Sequence, residues 1–333
     1  MKKRDYIIAI KNISKLLENK DIISAYEYGS YKNPGLSDID LFLVIKNKKN
    51  SLLKKIINNL KKKELKFFFE YSTIMIVNES FLKNALLFDD LTLNKIYGKN
   101  IKINKYKKYS NLLFLLSILE WLPERTLRLK ENIKNFKKVN LRQHLGLLNS
   151  LKYTYLKVDK YINNNLINYY CKKINLLRND KNILKKKNKV LIFSKKILKF
   201  SNKLIYRFSR SPSIKSLNVR INGRLEMKFK NNWKIIYSEI KDEKEQNNIT
   251  VPLVYSLPFA FHLKNSNTLS KILVKKFKMN KNYKIKIKNK KINIILNKRN
   301  KLINDNIELL LKNNIFKGLY KFGWFLNKNA KEI

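Results

Sequence analysis

The chain has 333 residues and a mass of 39.8 kDa, and 44% of the residues are hydrophobic, which excludes a disordered chain and allows two or three domains. One cysteine, Cys171, and two histidines exclude a disulfide framework and a zinc site made from these residue types. A lone cysteine also fits a reducing interior, so we expect a cytoplasmic protein.

The formal net charge is +50, because 74 Lys and Arg face only 24 Asp and Glu. Such an excess is typical of proteins that bind a polyanion such as RNA. A compositional bias towards Lys, Asn and Ile competes with this explanation but does not account for the scarcity of acids, so both remain open. The longest apolar runs, residues 112–122 and 251–263, are too short to span a membrane.

The first sixty residues predict the beginning of a small sheet. Apolar residues recur at helical spacing over residues 5–20, and two strand-like apolar runs follow at residues 22–28 and 41–45. Residues 51–63 predict a second helix. The interval between the two strands carries the polar residues that direct the rest of the interpretation.

Two pairs of residues stand out in that interval, Gly29 with Ser30 and Asp38 with Asp40. Alternation along a strand places residues i and i+2 on one face, so the two carboxylates are expected to point the same way. Neighbouring carboxylates repel each other unless a cation lies between them, and hard oxygen ligands suit Mg²⁺. A glycine lets the backbone approach a phosphate closely, and the Ser30 hydroxyl adds a donor.

A Gly-Ser turn after one strand and an Asp-x-Asp on the next resemble the signature of the DNA polymerase β-type nucleotidyltransferase superfamily. The resemblance implies a small mixed-sheet domain in which Asp38 and Asp40 hold Mg²⁺ or Mn²⁺ and act in catalysis. It further implies that Gly29 and Ser30 bind a nucleoside triphosphate. A third carboxylate, from a later strand, would help to activate the attacking hydroxyl.

Residues 65–77 predict that later strand, and Glu70 is the only acid inside it. Glu70 shares a strand face with Ile74, but the register of this face against Asp38 and Asp40 is not fixed by the sequence. Glu70 is therefore either the third catalytic carboxylate or a surface glutamate.

Two domain boundaries follow from the next segments. Residues 78–88 predict a helix that Asn78 caps, and the nucleotidyltransferase-like domain is expected to cover residues 1–104. Residues 105–210 predict a helical domain, in which Pro123 is expected to break a helix.

One helix of this domain, over residues 140–161, interleaves three tyrosines with three lysines: Tyr153, Tyr155, Tyr161, Lys152, Lys157 and Lys160. Such a face can stack bases and bind phosphates. Half core and half solvated surface is the commoner meaning of the pattern, and we favour it here.

Residues 211–333 predict a basic α+β C-terminal region. Asn222-Gly223 has the turn chemistry of a β-hairpin, residues 283–287 and 292–296 predict a second hairpin, and residues 305–324 predict a helix. The predicted fold class is therefore α/β to α+β: a small mixed-sheet domain, a helical domain and this C-terminal region.

The predicted function is a metal-dependent nucleotidyltransferase that moves a nucleoside monophosphate from a triphosphate to a hydroxyl of RNA, protein or a small molecule, releasing pyrophosphate. The alternative is a non-catalytic module of the same fold that binds nucleotide or RNA. A basic scaffold in which the two motifs are coincidental is a third possibility. The acceptor and the oligomeric state do not follow from the sequence.

Overall fold

The computed structural model describes residues 2–18, 21–28, 36–46, 74–228, 234–239, 248–277 and 279–313. These residues form a mixed α/β protein with ten α-helices and two small mixed sheets. They divide into two compact units: unit 1 contains the residues up to Lys108 and those from Lys301 onward, and unit 2 contains Tyr109–Asn300. In the described part of the chain, no helix is both long and apolar enough to cross a membrane.

The helices in chain order are α1 (Lys3–Leu16), α2 (Glu79–Lys83), α3 (Ser110–Lys134), α4 (Leu141–Ile162), α5 (Asn165–Asn179), α6 (Lys187–Ser209), α7 (Pro212–Lys215), α8 (Leu257–Asn265), α9 (Asn267–Phe277) and α10 (Lys290–Lys312). The strands are β1 (Ile22–Tyr28), β2 (Asp40–Ile45), β3 (Ile74–Val77), β4 (Leu93–Gly98), β5 (Val219–Lys228), β6 (Lys234–Ser238), β7 (Asn248–Pro252) and β8 (Asn280–Ile287).

Unit 1 is organised around a sheet with the strand order β3-β2-β1-β4. Strand β1 pairs antiparallel with both β2 and β4, whereas β2 and β3 run parallel. The strands predicted at residues 22–28 and 41–45 are confirmed. Of the third predicted strand, residues 74–77 are described, and the helix predicted at residues 51–63 lies outside the described residues.

Helix α1 contributes the fully buried side chains of Tyr6 and Ile13, and Leu17, which directly follows the helix, continues this buried stripe. The spacing of this stripe is helical, which confirms the helix predicted from the same periodicity. The Ser14 hydroxyl donates to the carbonyl of Ile96 at 3.0 Å, which ties α1 to β4.

Asn78 caps α2 as predicted, because its side chain accepts a hydrogen bond from the Phe81 amide at 2.7 Å. The same segment of unit 1 is bound by a distant residue, the fully buried Asn306 of α10. The Asn306 amide donates to the Ile76 carbonyl at 3.1 Å and accepts from the Asn78 amide at 3.2 Å. The backbone carbonyl of Ile76 and the backbone amide of Asn78, at the end of β3, therefore find their hydrogen-bond partner in a segment far away in sequence.

Unit 2 begins with helices, and α3 corrects one prediction. It continues through Pro123, which the sequence predicted as a break. Proline removes one helical hydrogen bond, but Leu119, Leu122 and Leu127 on either side of it are buried. Burial of this apolar surface stabilises the continuous helix more than the lost hydrogen bond destabilises it.

The sheet of unit 2 has the order β7-β6-β5-β8. The turn predicted at Asn222-Gly223 is wrong, because both residues lie inside the continuous strand β5. Gly223 has φ +106°, and a Cβ there would lie 2.2 Å from the Asn282 carbonyl oxygen of β8. The glycine permits a close approach of two paired strands rather than a reversal of the chain.

The second predicted hairpin is also wrong. Strand β8 pairs with β5, and residues 292–296 belong to α10. Ile292, Leu296 and Ile303 are buried at helical spacing, and the Asn289 side chain accepts from the backbone amides of Lys291 and Ile292. Asn289 thus caps the helix. The β-branched isoleucines of residues 292–296 favour strands, which explains the wrong prediction.

Candidate functional site

The candidate site lies where β1 ends and β2 begins. Asp40 is the first residue of β2 and pairs with Tyr28, the last residue of β1. Asp38 comes two residues before the strand, so strand alternation does not govern it as predicted. Burial nevertheless alternates here, since Ile39 is buried and both aspartates are partly exposed. The two carboxylates therefore flank a buried anchor.

A buried hydrogen bond holds the backbone next to this pair. The Tyr6 hydroxyl of α1 donates to the Ser37 carbonyl at 2.7 Å, and the tyrosine is fully buried. Ser37 directly precedes Asp38, so α1 positions the carboxylate segment through its core-facing stripe. The sequence has no local signal for this bond, although the helical periodicity places Tyr6 on the buried face.

The sheet separates the neighbouring acids by face. Residues paired directly across a sheet point to the same side, so Asp40 shares a face with Tyr28 and Phe42, whose rings lie 4.6 Å apart. Glu27 lies on the other face, where its Oε1 accepts from the Asn94 amide at 3.1 Å. Glu27 is therefore not gathered with Asp40.

The register of β3 bears on the expected third carboxylate. Phe42 pairs with Met75, so Met75 shares the face of Asp40 and Ile74 lies on the opposite face. Glu70 was predicted on the face of Ile74, but Glu70 itself lies outside the described residues. Among the described residues, no group of three or more His, Cys, Asp or Glu side chains is placed to hold a metal ion.

Gly29 and Ser30 also lie outside the described residues. In the sequence they follow Tyr28 directly, and Tyr28 is the residue that the register places beside Asp40. The pairing therefore brings the end of β1, from which the Gly-Ser pair continues, next to the start of the carboxylate strand.

The donor set of the pair fits a small hard cation. Two aspartates with partly exposed side chains, two residues apart on a segment anchored by Ile39 and by the Tyr6 bond, supply the oxygen ligands that Mg²⁺ or Mn²⁺ takes. Mg²⁺ completes its coordination with waters and phosphate oxygens, so two protein carboxylates suffice as ligands.

A cavity of about 340 Å³ in unit 1 lies at the other end of the sheet. Its lining includes Ile45, the last residue of β2, together with Glu79, Asp305 and Glu308. Five residues of strand separate Ile45 from Asp40, which is roughly 17 Å at 3.3 Å per residue. The Lys83 ammonium, 2.8 Å from Glu79, holds the pKa of that carboxyl below its usual range. This cavity is thus distinct from the aspartate pair.

Comparison with known proteins adds nothing to these observations: no family model, no curated protein and no solved structure matches the chain. What can be said of function therefore depends on the residues and on their geometry.

Proposed function

We propose that unit 1 is a nucleotidyltransferase domain that moves a nucleoside monophosphate from a triphosphate to a hydroxyl acceptor. One observation carries the proposal: Asp40 begins β2 directly beside Tyr28, the residue from which Gly29 and Ser30 continue. The end of β1, which the Gly-Ser pair follows in the sequence, thereby lies beside the start of the strand that carries Asp40, in the middle of a small mixed sheet.

The reaction would form a bond between the acceptor oxygen and the α-phosphorus, and break the bond from that phosphorus to the pyrophosphate. Gly29 and Ser30 would bind the phosphates through backbone amides and a hydroxyl. The acceptor proton would pass to a base, for which Glu70 is the proposed residue. Tyr6 would not contact the substrate but would be a positioning residue, because its bond to the Ser37 carbonyl holds the backbone next to Asp38.

Asp38 and Asp40 would hold the Mg²⁺ or Mn²⁺ ions. When bound, such ions neutralise the phosphate charge that develops during transfer and lower the pKa of the attacking hydroxyl. Ile39, between the two aspartates, is buried, and this burial supports the proposal because it anchors the segment from which both carboxylates would bind the ions.

A specific observation favours the alternative, a non-catalytic module that binds nucleotide. The described residues bring no third acid to Asp38 and Asp40, and Glu70 was predicted on a face that the register places away from Asp40. Loss of the base would leave nucleotide binding intact and remove turnover.

One assay distinguishes the two functions. The full chain is incubated with α-labelled nucleoside triphosphates, Mg²⁺ or Mn²⁺, and separate RNA, protein and metabolite fractions. The enzyme transfers label to one fraction and releases pyrophosphate, and Glu70→Gln slows this transfer by orders of magnitude with nearly unchanged nucleotide affinity. Nucleotide binding without transfer to any fraction would favour the non-catalytic module instead.

A further inference from the structure

The helices of unit 2 carry an extreme concentration of positive charge. Residues 141–210, which include α4, α5 and α6, contain 18 Lys and Arg against two Asp and no Glu. Most of these cations are exposed, and α5 carries none of the acids. A surface of this composition attracts polyanions and repels a second copy of itself.

Two tyrosines are exposed on this surface, each with a lysine at its ring. Tyr153 of α4 is 44% exposed and Tyr169 of α5 is 51% exposed. The Lys152 ammonium lies 4.6 Å from the centre of the Tyr153 ring, and the Lys173 ammonium lies 5.7 Å from that of Tyr169. We call Tyr153, Tyr169, Lys152, Lys172 and Lys173 the basic aromatic face.

The two helices that carry this face are joined by polar contacts. The Lys152 ammonium also donates to Asn175 Oδ1 of α5 at 2.9 Å, so one lysine connects the Tyr153 ring with the neighbouring helix. The buried Arg178 guanidinium donates to the Leu145 carbonyl of α4 at 2.7 Å. These two contacts hold α4 and α5, which carry Tyr153 and Tyr169, against each other.

The exposed Tyr169 ring contacts other aromatic residues of unit 2. Its ring meets the edge of Tyr170 at 5.2 Å, and Tyr170 stacks on the buried Phe200 of α6 at 4.5 Å. The Tyr169 ring thus contacts an aromatic residue that is itself held by stacking, and a ring whose motion is restricted in this way binds a planar ligand at lower entropic cost.

The face differs from the tyrosine-lysine pattern predicted over residues 140–161. Tyr155 is fully buried and bonded to Ser201, which makes it a core residue. Lys157 and Lys160 lie over the ring of Phe114 in α3. Only Tyr153 and Lys152 of that pattern belong to the face, and the other members come from α5.

We propose that the basic aromatic face binds a single-stranded polynucleotide. Exposed aromatic rings stack on unpaired bases regardless of sequence, and flanking lysines bind the backbone phosphates. A duplex buries its base faces and offers the tyrosines nothing to stack on. The inference does not depend on the proposed transfer reaction, because it concerns residues of unit 2 only.

The test measures binding of fluorescein-labelled 20-nucleotide poly(U) and poly(dT) to the full chain by anisotropy. The double variant Tyr153→Leu/Tyr169→Leu is expected to weaken binding by at least about tenfold, because stacking is lost while apolar area is kept. Tyr153→Phe/Tyr169→Phe should bind like the wild type. Equal affinity of the Leu and wild-type proteins would overturn the proposal.

Two variants that lose the same charge distinguish binding at the basic aromatic face from non-specific electrostatic binding. Lys152, Lys172 and Lys173 are replaced by Gln, and in the control three exposed lysines of or next to β8 are replaced: Lys284, Lys286 and Lys288. The first triple variant is expected to bind more weakly and with a shallower salt dependence than the control. Equal losses in both triple variants would overturn the proposal and show non-specific attraction only, and so would equal affinity for the labelled poly(U) alone and for the same strand annealed to poly(A).

A measurement without variants guards against unfolding of the Leu protein. Poly(U) containing 5-bromouridine is crosslinked to the wild-type chain by light, and the adducts are mapped by mass spectrometry. Adducts at Tyr153 or Tyr169 support the proposal, whereas adducts confined to other residues overturn it. Preference for RNA over DNA decides which polynucleotide is the ligand.

Discussion

The two sheets of the protein share one topology. In each, the first strand pairs antiparallel with the second and the fourth, and the second runs parallel to the third, giving the orders β3-β2-β1-β4 and β7-β6-β5-β8. The two sheets differ at the end of the first strand and the start of the second, which in unit 1 is the place of the candidate site. Asp40 pairs with Tyr28 in the first sheet, and Lys234 pairs with Lys228 at the corresponding place in the second.

The connection between the paired strands explains the difference. Residues 29–39 join β1 to β2 and contain the Gly-Ser pair and Asp38, whereas residues 229–233 join β5 to β6 and contain no acid. The shared strand topology therefore does not determine whether a sheet has the candidate site. The proposed site depends on the residues between two strands.

Each sheet also has a cavity at the opposite end of these paired strands, of about 340 Å³ in unit 1 and about 270 Å³ in unit 2. The first is lined by Glu79, Asp305 and Glu308, and the second by Arg210 among others.

The largest expected effect tests whether the first sheet alone carries catalysis. Asp40→Asn should lower the transfer rate by about 100- to 1000-fold, since metal-assisted charge stabilisation contributes several kcal/mol. Asp305→Asn removes the same charge from the cavity at the opposite end of β2, and it should leave the transfer rate within about twofold of the wild type. A rate assay with labelled triphosphate compares the two, and equal losses would contradict the assignment.

A second prediction concerns a glycine that each sheet requires. Gly98 and Gly223 both have positive φ, and a Cβ on either would lie 2.2 Å from a carbonyl oxygen of the partner strand. Alanine at either position should destabilise the fold by at least about 2 kcal/mol. Gly146, inside α4, is the control, because alanine favours a helix. Urea unfolding measures the differences, and a neutral Gly223→Ala would contradict the strand register.

The response to acid should distinguish the units, since both histidines lie in unit 2. Burial lowers the pKa of His144 to about 4, and burial together with the Arg299 cation lowers the pKa of His262 to about 3. The unfolded chain binds protons near pH 6.5, so stability is full above that pH and falls as the pH drops towards these values. The slope approaches about 1.4 kcal/mol per pH unit for each histidine.

Replacing one histidine tests this slope. His262→Leu should reduce the loss of unfolding free energy between pH 6.5 and 5 by roughly 1.6 kcal/mol, because one group no longer titrates. Urea unfolding of both proteins at several pH values provides the measurement. An unchanged slope would mean that His262 does not take up a proton on unfolding in this range.

The smallest effect separates positioning from stability. Tyr6→Phe and Tyr255→Phe each remove one buried hydroxyl that donates to a backbone carbonyl, of Ser37 and of Ile205 respectively. Both should lower the unfolding free energy by about 1 kcal/mol. Only Tyr6→Phe should also slow transfer, and an equal effect of the two variants on the rate would remove Tyr6 from the site.

Local signals predicted the parts of the fold that local physics decides. The apolar runs of β1 and β2 were recognisable because each is bounded by polar residues, and Asn78 and Asn140 cap helices through bonds to residues three positions on. The Gly223 position was misread because glycine serves both a turn and a close strand approach, and only the distant partner β8 distinguishes them.

The candidate site was predictable to a similar extent. The strands before and after the Gly-Ser pair and Asp38 were predicted from their apolar runs, and the structure pairs the two strands so that Tyr28 lies beside Asp40. The anchoring of Ser37 by Tyr6 joins residues 31 positions apart, and the continuity of α3 through Pro123 depends on burial by other helices. Neither has a local signal in the sequence.

The bond between Asn306 and the end of β3 has a consequence for the synthesis of the chain. Asn306 follows Asn78 by 228 residues, so a ribosome adding about 5–20 residues per second makes it roughly 10–50 s later. During that time the Ile76 carbonyl and the Asn78 amide lack their final partner, while all of unit 2 emerges. Unit 1 therefore completes its folding after translation has passed through unit 2, although its strands are made first.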